Sequence, residues 1–220
     1  MRDDVLATAG DYARRMVTSH VVPNFLPSED GLHFPNSYPS GPTVRIGPLD
    51  PRLIGVGDAS MGLCGGMCFF VRRKFKANQP VPTQATVPDN GSDLFKQLVR
   101  EQVRSLRLGL VPVRFWRVSA MDEVARKKYT RATAWPAIRH SLDGNSLTQI
   151  GLIRQTARNP FKLIGNHQVL AYGYEIGDDA SIRVRIYDPN HPNKDNVWVP
   201  MDGSGPQSTG EVLLGVAALD

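Results

Sequence analysis

The sequence predicts an α+β fold, because its two halves carry different residue patterns. In the first 146 residues, apolar side chains recur at helical spacing between breaks that contain Gly and Pro. After that point, short runs rich in Val, Ile and aromatic residues are separated by turn-forming residues, as in strands. Helices followed by strands are typical of α+β domains. We expect one domain over residues 1–220, mainly helical over 55–146 and mainly β over 147–220.

The N-terminal part, residues 1–54, is predicted to start with a helix and to continue as a long loop. Residues 2–19 place apolar side chains on a common side of a helix, which favours core packing. From Pro23 to Pro51 the chain is dense in Pro, Gly, Asn and Ser, so an ordered loop or short edge strands are expected. We expect this Pro/Gly-rich loop to form one wall of a cleft.

The middle part contains four predicted helices, each with a start or stop signal in the sequence. They are a helix that starts near Gly65, a helix with Asp93 as its N-cap and Gly109 at its end, a helix over 119–129 capped by Ser119, and a helix that starts at Trp135 with Pro136 in its first turn.

The C-terminal part contains five strand-like runs, at residues 147–155, 168–176, 181–188, 196–199 and 212–217. Residues 177–181 are typical of a turn, so the second and third runs are predicted to form a hairpin in which Ile176 pairs with Ser181. This register puts His167 opposite Asn190 and Val169 opposite Asp188.

Side chains that are opposed in a hairpin share a face, so His167, Asp188 and Asn190 are predicted to point the same way. Their face also carries Ile182, Val184 and Ile186, whereas Arg183 and Arg185 lie on the other; the histidine's face is therefore the predicted buried one. Asp188 and Asn190 both remain candidates for the partner of the imidazole. We favour Asp188, because Pro189 ends regular pairing and carries Asn190 off the sheet. A buried histidine satisfied by a nearby acid for structural reasons is the alternative.

Cys64 lies between a glycine-rich loop and a predicted helix start. Residues 55–62 include three glycines, whereas residues 67–76 are apolar and basic without a helix breaker. At a helix N-terminus, unpaired N–H groups and the helix dipole favour the thiolate, which is the nucleophilic form of cysteine. The alternative for both Cys64 and Cys68 is a role as small core hydrophobes. Cys68 is the second candidate nucleophile, but it falls one turn inside the helix, in an apolar run.

Composition limits the classes of function. Two cysteines four residues apart cannot make a disulfide framework, and five scattered histidines predict no metal site and no cofactor. The net charge of +5 includes basic clusters at 72–76 and 126–128, which we interpret as the outer faces of two helices, so no nucleic-acid partner is expected. No apolar run predicts a signal peptide or a transmembrane segment, so the protein is expected to be cytoplasmic or exported by another route.

A thiolate, an imidazole and an orienting acid are the parts needed for acyl transfer through a thioester. Three short motifs of the sequence resemble those of papain-like cysteine peptidases, above all the bacteriocin-processing C39-like group and little-characterised microbial relatives. The motifs are Cys64-Gly65, His167 with the following run 168–174, and Asp188-Pro189. The resemblance covers residues 55–200. It implies a papain-like fold, a catalytic triad of Cys64, His167 and Asp188, a protein or peptide substrate, and a possible origin as an exported effector or toxin domain.

One position departs from the family's pattern. Papain-like enzymes usually have a glutamine oxyanion donor about six residues before the nucleophile, and Asp58 stands there. A carboxylate repels a developing negative charge, so the Cys64 backbone N–H and a donor such as Ser60 would have to serve. Besides a peptidase, the sequence therefore leaves open a deamidase, a transglutaminase-type acyl transferase and an inactive papain-like binding module.

Overall fold

A computed structural model of the chain describes residues 16–38, 63–106, 110–156 and 166–220. Its mixture of helices and antiparallel sheet confirms the α+β class. In chain order the described elements are β1 (Met16–Val21), α1 (Pro27–Asp30), α2 (Cys64–Lys76), α3 (Asp93–Ser105), α4 (Leu110–Ala120), α5 (Glu123–Tyr129), a π-helical turn (Thr130–Ala134), α6 (Trp135–Asp143), β2 (Thr148–Ile153), β3 (His167–Gly177), β4 (Ile182–Tyr187), β5 (Trp198–Pro200), β6 (Gly205–Pro206), β7 (Val212–Leu213) and β8 (Gly215–Ala218).

Strand β3 organises the main sheet of the described residues, which has six antiparallel strands. Its order is β5-β4-β3-β2-β8, and β1 also pairs with β3. One edge of β3 is shared: β2 pairs with residues 167–171 and β1 with residues 173–177, while β4 occupies the opposite edge. The predicted strands are present within one or two residues, except that the predicted run 212–217 divides into β7 and β8.

The predicted helix over residues 2–19 is wrong at its C-terminal end, because residues 16–21 form strand β1. Three of those six residues are β-branched, and pairing with β3 satisfies their backbone groups. Residues 2–15 lie outside the described residues. So does the second half of the Pro/Gly-rich loop; residues 23–38 of that loop contain only the short helix α1.

The hairpin register differs from the prediction near the turn and agrees with it near the histidine. Ile176 pairs with Ile182 rather than with Ser181, a difference of one residue. The register then shifts at Tyr172, and beyond this bulge Ala171 pairs with Ile186, as predicted. An extra residue in one strand changes the pairing from that point on. The bulge therefore restores the alignment that brings the start of β3 towards the residue after β4.

Helices cover both faces of the sheet, so the prediction of a single buried face is wrong. Helix α2 lies on the face that carries Gln168, whose side chain reaches Gly65. Trp135 of α6 packs edge-on against Tyr174, with ring centroids 5.2 Å apart, on the opposite face. Tyr187 shares the face of Arg183 and Arg185 and is fully buried. An interior sheet needs apolar residues on both faces.

Two glycines allow α2 to lie very close to its neighbours. A Cβ at Gly65 would come within 2.7 Å of Gln168 Oε1, and one at Gly66 within 2.4 Å of the Leu98 carbonyl oxygen of α3. The Gln149 amide of β2 donates to the Gly65 carbonyl at 3.2 Å and to Gln168 Oε1 at 2.6 Å. The first turn of α2 is thus fixed against both the sheet and α3.

Two of the predicted helix caps are displaced. Ser92, not Asp93, caps α3 by accepting a hydrogen bond from the Phe95 N–H at 3.3 Å. Asp93 is the next residue, in the first turn, where its negative charge interacts favourably with the helix dipole. Helix α3 ends at Ser105, and Gly109 lies outside the described residues. Ser119 is buried inside α4 rather than capping a helix, and Asp122 caps α5 by accepting from the Ala125 N–H at 2.8 Å.

The predicted start of α6 at Trp135 is confirmed, although α5 runs into α6 through the π-helical turn without a break. Pro136 cannot donate a backbone hydrogen bond, and a widened turn is one way to accommodate this. The prediction that Arg126 lies on an outer helix face is wrong. It is buried, and its guanidinium donates to the carbonyl oxygens of Leu214 at 3.0 Å and Met121 at 2.7 Å.

Candidate active site

Cys64 is the first residue of α2, as the sequence predicts. The residue before it, Leu63, caps the helix without a side-chain hydrogen bond, and its own N–H donates to Asn36 Oδ1 at 2.6 Å. Further into the first turn, the Gly66 N–H donates to the buried Gln102 Oε1 at 2.6 Å. Cys64 is half-buried. Its sulfur is therefore held at the start of a helix whose position is fixed from three sides.

His167 and Asp188 form a buried pair. His167 Nε2 lies 2.6 Å from Asp188 Oδ1, and the two residues are 5% and 1% exposed. Their adjacency follows from the fold: His167 is the first residue of β3, and Asp188 directly follows β4. A short charge-assisted hydrogen bond out of contact with water is strong and fixes the imidazole ring.

The carboxylate of Asp188 has hydrogen-bond donors at both of its oxygens. Oδ1 also accepts from the Asn190 backbone N–H at 2.8 Å, and Oδ2 accepts from Gln207 Nε2 at 2.8 Å. Burial raises the pKa of this carboxyl, but the charge and hydrogen bond of His167 and the two further donors outweigh it and hold the pKa well below its usual range. Asp188 is therefore the ionised partner of the imidazole.

Asn190 has a different role from the one considered as an alternative in the sequence. Its side-chain oxygen accepts from Asn36 Nδ2 at 3.3 Å, and only its backbone N–H reaches Asp188. The Asn36 N–H also donates to the Pro189 carbonyl at 2.9 Å. Asn36 thereby links the turn after β4 to the residue before Cys64.

His167 lies close enough to Cys64 for its imidazole to lower the pKa of the thiol. Because Nε2 is used by Asp188, Nδ1 is the ring nitrogen left for the sulfur. Burial raises the pKa of the Cys64 thiol. The interaction with His167 and the backbone N–H groups of Gln168 and Gly65 lower this pKa by more than burial raises it, so the net shift is downward. The fold thus brings the three candidate residues together, with His167 bonded to Asp188 and acting on the Cys64 thiol.

The pKa of His167 shifts in the opposite direction. Burial lowers it, but the charge and hydrogen bond of Asp188, together with Cys64, raise it to about 9. A raised imidazole pKa and a lowered thiol pKa describe the same event, which is transfer of the thiol proton to the ring. The arrangement can therefore hold a thiolate next to an imidazolium near neutral pH.

Cys68 does not join this chain. It is fully buried, and its sulfur lies 3.5 Å from the Gln168 carbonyl oxygen as a weak donor. Burial, and then the negative charges that Cys64 and Asp188 can carry, raise the pKa of its thiol well above the usual value. Cys68 therefore packs in the core as a neutral thiol, and Cys64 remains the candidate nucleophile.

Two residues of the site were missed in the sequence, Gln207 and Asn36. Each lies in a loop and reaches the site through a contact distant in the chain, so no local pattern marks either of them. Conversely, the two residues discussed for the oxyanion, Asp58 and Ser60, lie outside the described residues. The start of α2 keeps the predicted backbone donor at Cys64 in place.

Neither a metal-binding cluster nor a membrane-spanning helix is present among the described residues. Within residues 16–38, 63–106, 110–156 and 166–220, no three His, Cys, Asp or Glu side chains are grouped so as to hold a metal ion. In the same ranges no helix has the length and apolarity needed to cross a membrane.

Comparison with known proteins adds no relative: no protein-family model, no curated protein and no solved structure matches the chain. The resemblance to papain-like peptidases therefore remains a prediction based on short motifs. The same holds for an origin as an effector or toxin domain.

Proposed function

We propose that this protein is a cysteine-dependent hydrolase that cleaves an amide or peptide bond through a thioester on Cys64. Cys64 would be the nucleophile, His167 the general acid and base, and Asp188 the residue that orients the imidazole. We also propose that the fold is papain-like. The α+β arrangement, with α2 packed on an antiparallel sheet that contains the 167–188 hairpin, is compatible with that fold.

The observation that supports this function is the buried His167–Asp188 hydrogen bond together with a cysteine, Cys64, at the start of the neighbouring helix α2. A buried histidine with an acid partner is common in protein cores, and a half-buried cysteine at a helix start is too. In their combination Nε2 lies 2.6 Å from Asp188 Oδ1, which leaves Nδ1 to exchange a proton with the Cys64 thiol.

The first half of the reaction forms the thioester. The Cys64 thiolate attacks the carbonyl carbon, and the carbonyl oxygen becomes an oxyanion beside the first turn of α2. The carbon–nitrogen bond then breaks, and the imidazolium of His167 gives its proton to the departing amine. Asp188 stays ionised throughout and keeps the ring oriented.

The second half releases the acyl group. Neutral His167 takes a proton from water, the hydroxide formed attacks the thioester carbon, and the carbon–sulfur bond breaks. The products are a carboxylic acid and the Cys64 thiolate next to an imidazolium, as at the start. If an amine takes the place of water, the same intermediate gives acyl transfer, so hydrolase and transferase share the first half of the reaction.

The test is to trap the acyl intermediate with a generic activated ester. p-Nitrophenyl acetate should release nitrophenolate and leave one acetyl group on the peptide that contains Cys64, as identified by mass spectrometry. Cys64→Ala should abolish both signals, and Cys68→Ala should retain them. Adding a primary amine and quantifying the acetylated amine against acetate separates transfer from hydrolysis.

An inactive binding module would give another result. Its Cys64 would acetylate no faster than a free thiol, and the rate would not depend on His167. Either a rate equal in His167→Ala and the wild type, or labelling on Cys68 in place of Cys64, would refute the proposed function.

A further inference from the structure

Backbone hydrogen bonds hold Gln207 in place independently of its side chain. It follows β6, and its N–H donates to the Glu211 carbonyl at 2.8 Å, while its carbonyl accepts from the Gly210 N–H at 2.9 Å. These two bonds close the turn between β6 and β7. The side chain points inward and is 2% exposed. A buried amide needs partners for both of its ends.

The orientation of the Gln207 amide is determined by its neighbours. Arg154 Nη2 lies 3.2 Å from Gln207 Oε1, and Arg154 can only donate, so the oxygen must face it. The nitrogen Nε2 therefore faces Asp188 and donates to Oδ2 at 2.8 Å. If the amide turned over, it would place two donors against each other at Arg154 and two acceptors against each other at Asp188.

The amide also separates a cation from the carboxylate. Arg154 is one amide length away from Asp188, so its guanidinium does not compete with His167 for the carboxylate. We infer that Gln207 is a positioning residue of the proposed active site, holding Asp188 with Oδ1 directed at His167, and that Arg154 fixes the amide of Gln207. This inference rests on the proposed function for its role in catalysis, whereas the geometry it describes is independent of it.

The ionisable side chains around Asp188 do not take over the positioning of its carboxylate from Gln207. From α2, Cys68 faces the carboxylate as a buried thiol; from β4, Tyr187 does so as a buried phenol, and burial raises the pKa values of both. Neither supplies charge near neutral pH. On the outer side, Glu211 accepts from His191 Nε2 at 2.9 Å and lies 3.9 Å from Arg154. Glu211 thus lies against Arg154 and His191 on the far side of Gln207.

Two variants test the inference. Gln207→Met keeps the length of the side chain and removes the donor. We expect alkylation of Cys64 by iodoacetamide at pH 7 to be about 10-fold slower, the effect of losing one hydrogen bond to a charged group. The proton on His167 Nε2, which a short hydrogen bond shifts far downfield in the NMR spectrum, should move upfield. Thr209→Ser changes the same turn but keeps the hydroxyl that donates to Glu211, and should leave both signals unchanged.

Gln207→Glu gives a sharper result, because a protonated Glu can still donate to Asp188 whereas an ionised one repels it. Two carboxyl groups this close share a proton, so the variant should show a further ionisation in the alkylation rate against pH that the wild type lacks. A merely structural glutamine would not add an ionisation to the chemistry of Cys64. If Gln207→Met does not fold, Gln207→Glu alone still tests the inference.

The outcomes separate the two proposals. If wild-type Cys64 is reactive below its ordinary pKa but Gln207→Glu adds no ionisation, or folded Gln207→Met leaves both the alkylation rate and the His167 signal unchanged, the inference about Gln207 is refuted and the proposed function survives. If wild-type Cys64 titrates as an ordinary thiol but the His167 signal moves in Gln207→Met, the positioning role holds and the proposed function fails.

Discussion

Replacing Asp188 with asparagine removes one buried negative charge while keeping the shape of the side chain. The wild-type carboxylate accepts from His167, from the Asn190 N–H and from Gln207. An amide nitrogen in either position would face at least one of these donors. If it faces His167, the ring must keep its proton on Nδ1, and that nitrogen can no longer accept the proton of the Cys64 thiol.

The size of the effect follows from the bond that is lost. A hydrogen bond to a charged group contributes about 1.5 to 3 kcal/mol, which corresponds to roughly 10- to 100-fold in an equilibrium. Without the carboxylate the pKa of His167 falls, its positive charge near Cys64 is lost, and the thiol pKa rises. At pH 6 the thiolate fraction and the alkylation rate should both fall in Asp188→Asn, by up to that factor.

The assay is iodoacetamide labelling of the Cys64 peptide over pH 5 to 9, with thermal unfolding to show that the variant is folded. Asn190→Ala is the matched control, because its backbone N–H still donates to Asp188; it should change the rate by less than about threefold, a loss well under the range for charged hydrogen bonds. A folded Asp188→Asn protein with the wild-type rate at pH 6 would refute the orienting role. A large loss in Asn190→Ala alone would transfer that role to Asn190.

Three further predictions use other contacts. An ordinary thiol with a pKa of about 8.5 is roughly 0.3% ionised at pH 6, so Cys64 should react at pH 6 at least about tenfold faster in the wild type than in His167→Ala. Gly66→Ala should lower the free energy of unfolding by about 1 to 3 kcal/mol, because the new Cβ would lie 2.4 Å from a carbonyl oxygen of α3; urea denaturation measures this. Asn36→Ala removes the acceptor of the Leu63 N–H and should slow acylation by p-nitrophenyl acetate several-fold, an effect of about 1 kcal/mol.

Each of these predictions has a control and a contrary outcome. For Gly66, the control is Gly144→Ala, whose Cβ would meet no atom closer than 3.4 Å; equal stability losses at both positions would contradict tight packing of α2. For Asn36, the control is Asn36→Asp, which keeps an acceptor for the Leu63 N–H; if it loses as much activity as Asn36→Ala, this acceptor is not what matters. For His167, parallel pH profiles in wild type and variant would count against the imidazole.

The sequence by itself determined those features that depend on neighbouring residues. The change from helical to alternating periodicity predicts the α+β class, since each period reflects which side chains of one element face the core. The Gly-rich segment before Cys64 and the breaker-free run after it determine where α2 begins, because helix initiation is local. The turn at 177–181 likewise makes the β3–β4 hairpin predictable.

The tertiary structure decided the features that depend on contacts between distant segments. The bulge at Tyr172 restores a register that the turn alone would have displaced, and no local pattern marks it. Residues 16–21 form a strand because β3 offers them an edge, although their spacing also suits a helix. Asn36 and Gln207 reach the site from loops, where the chain's path is fixed by packing and by hydrogen bonds made after the elements have assembled.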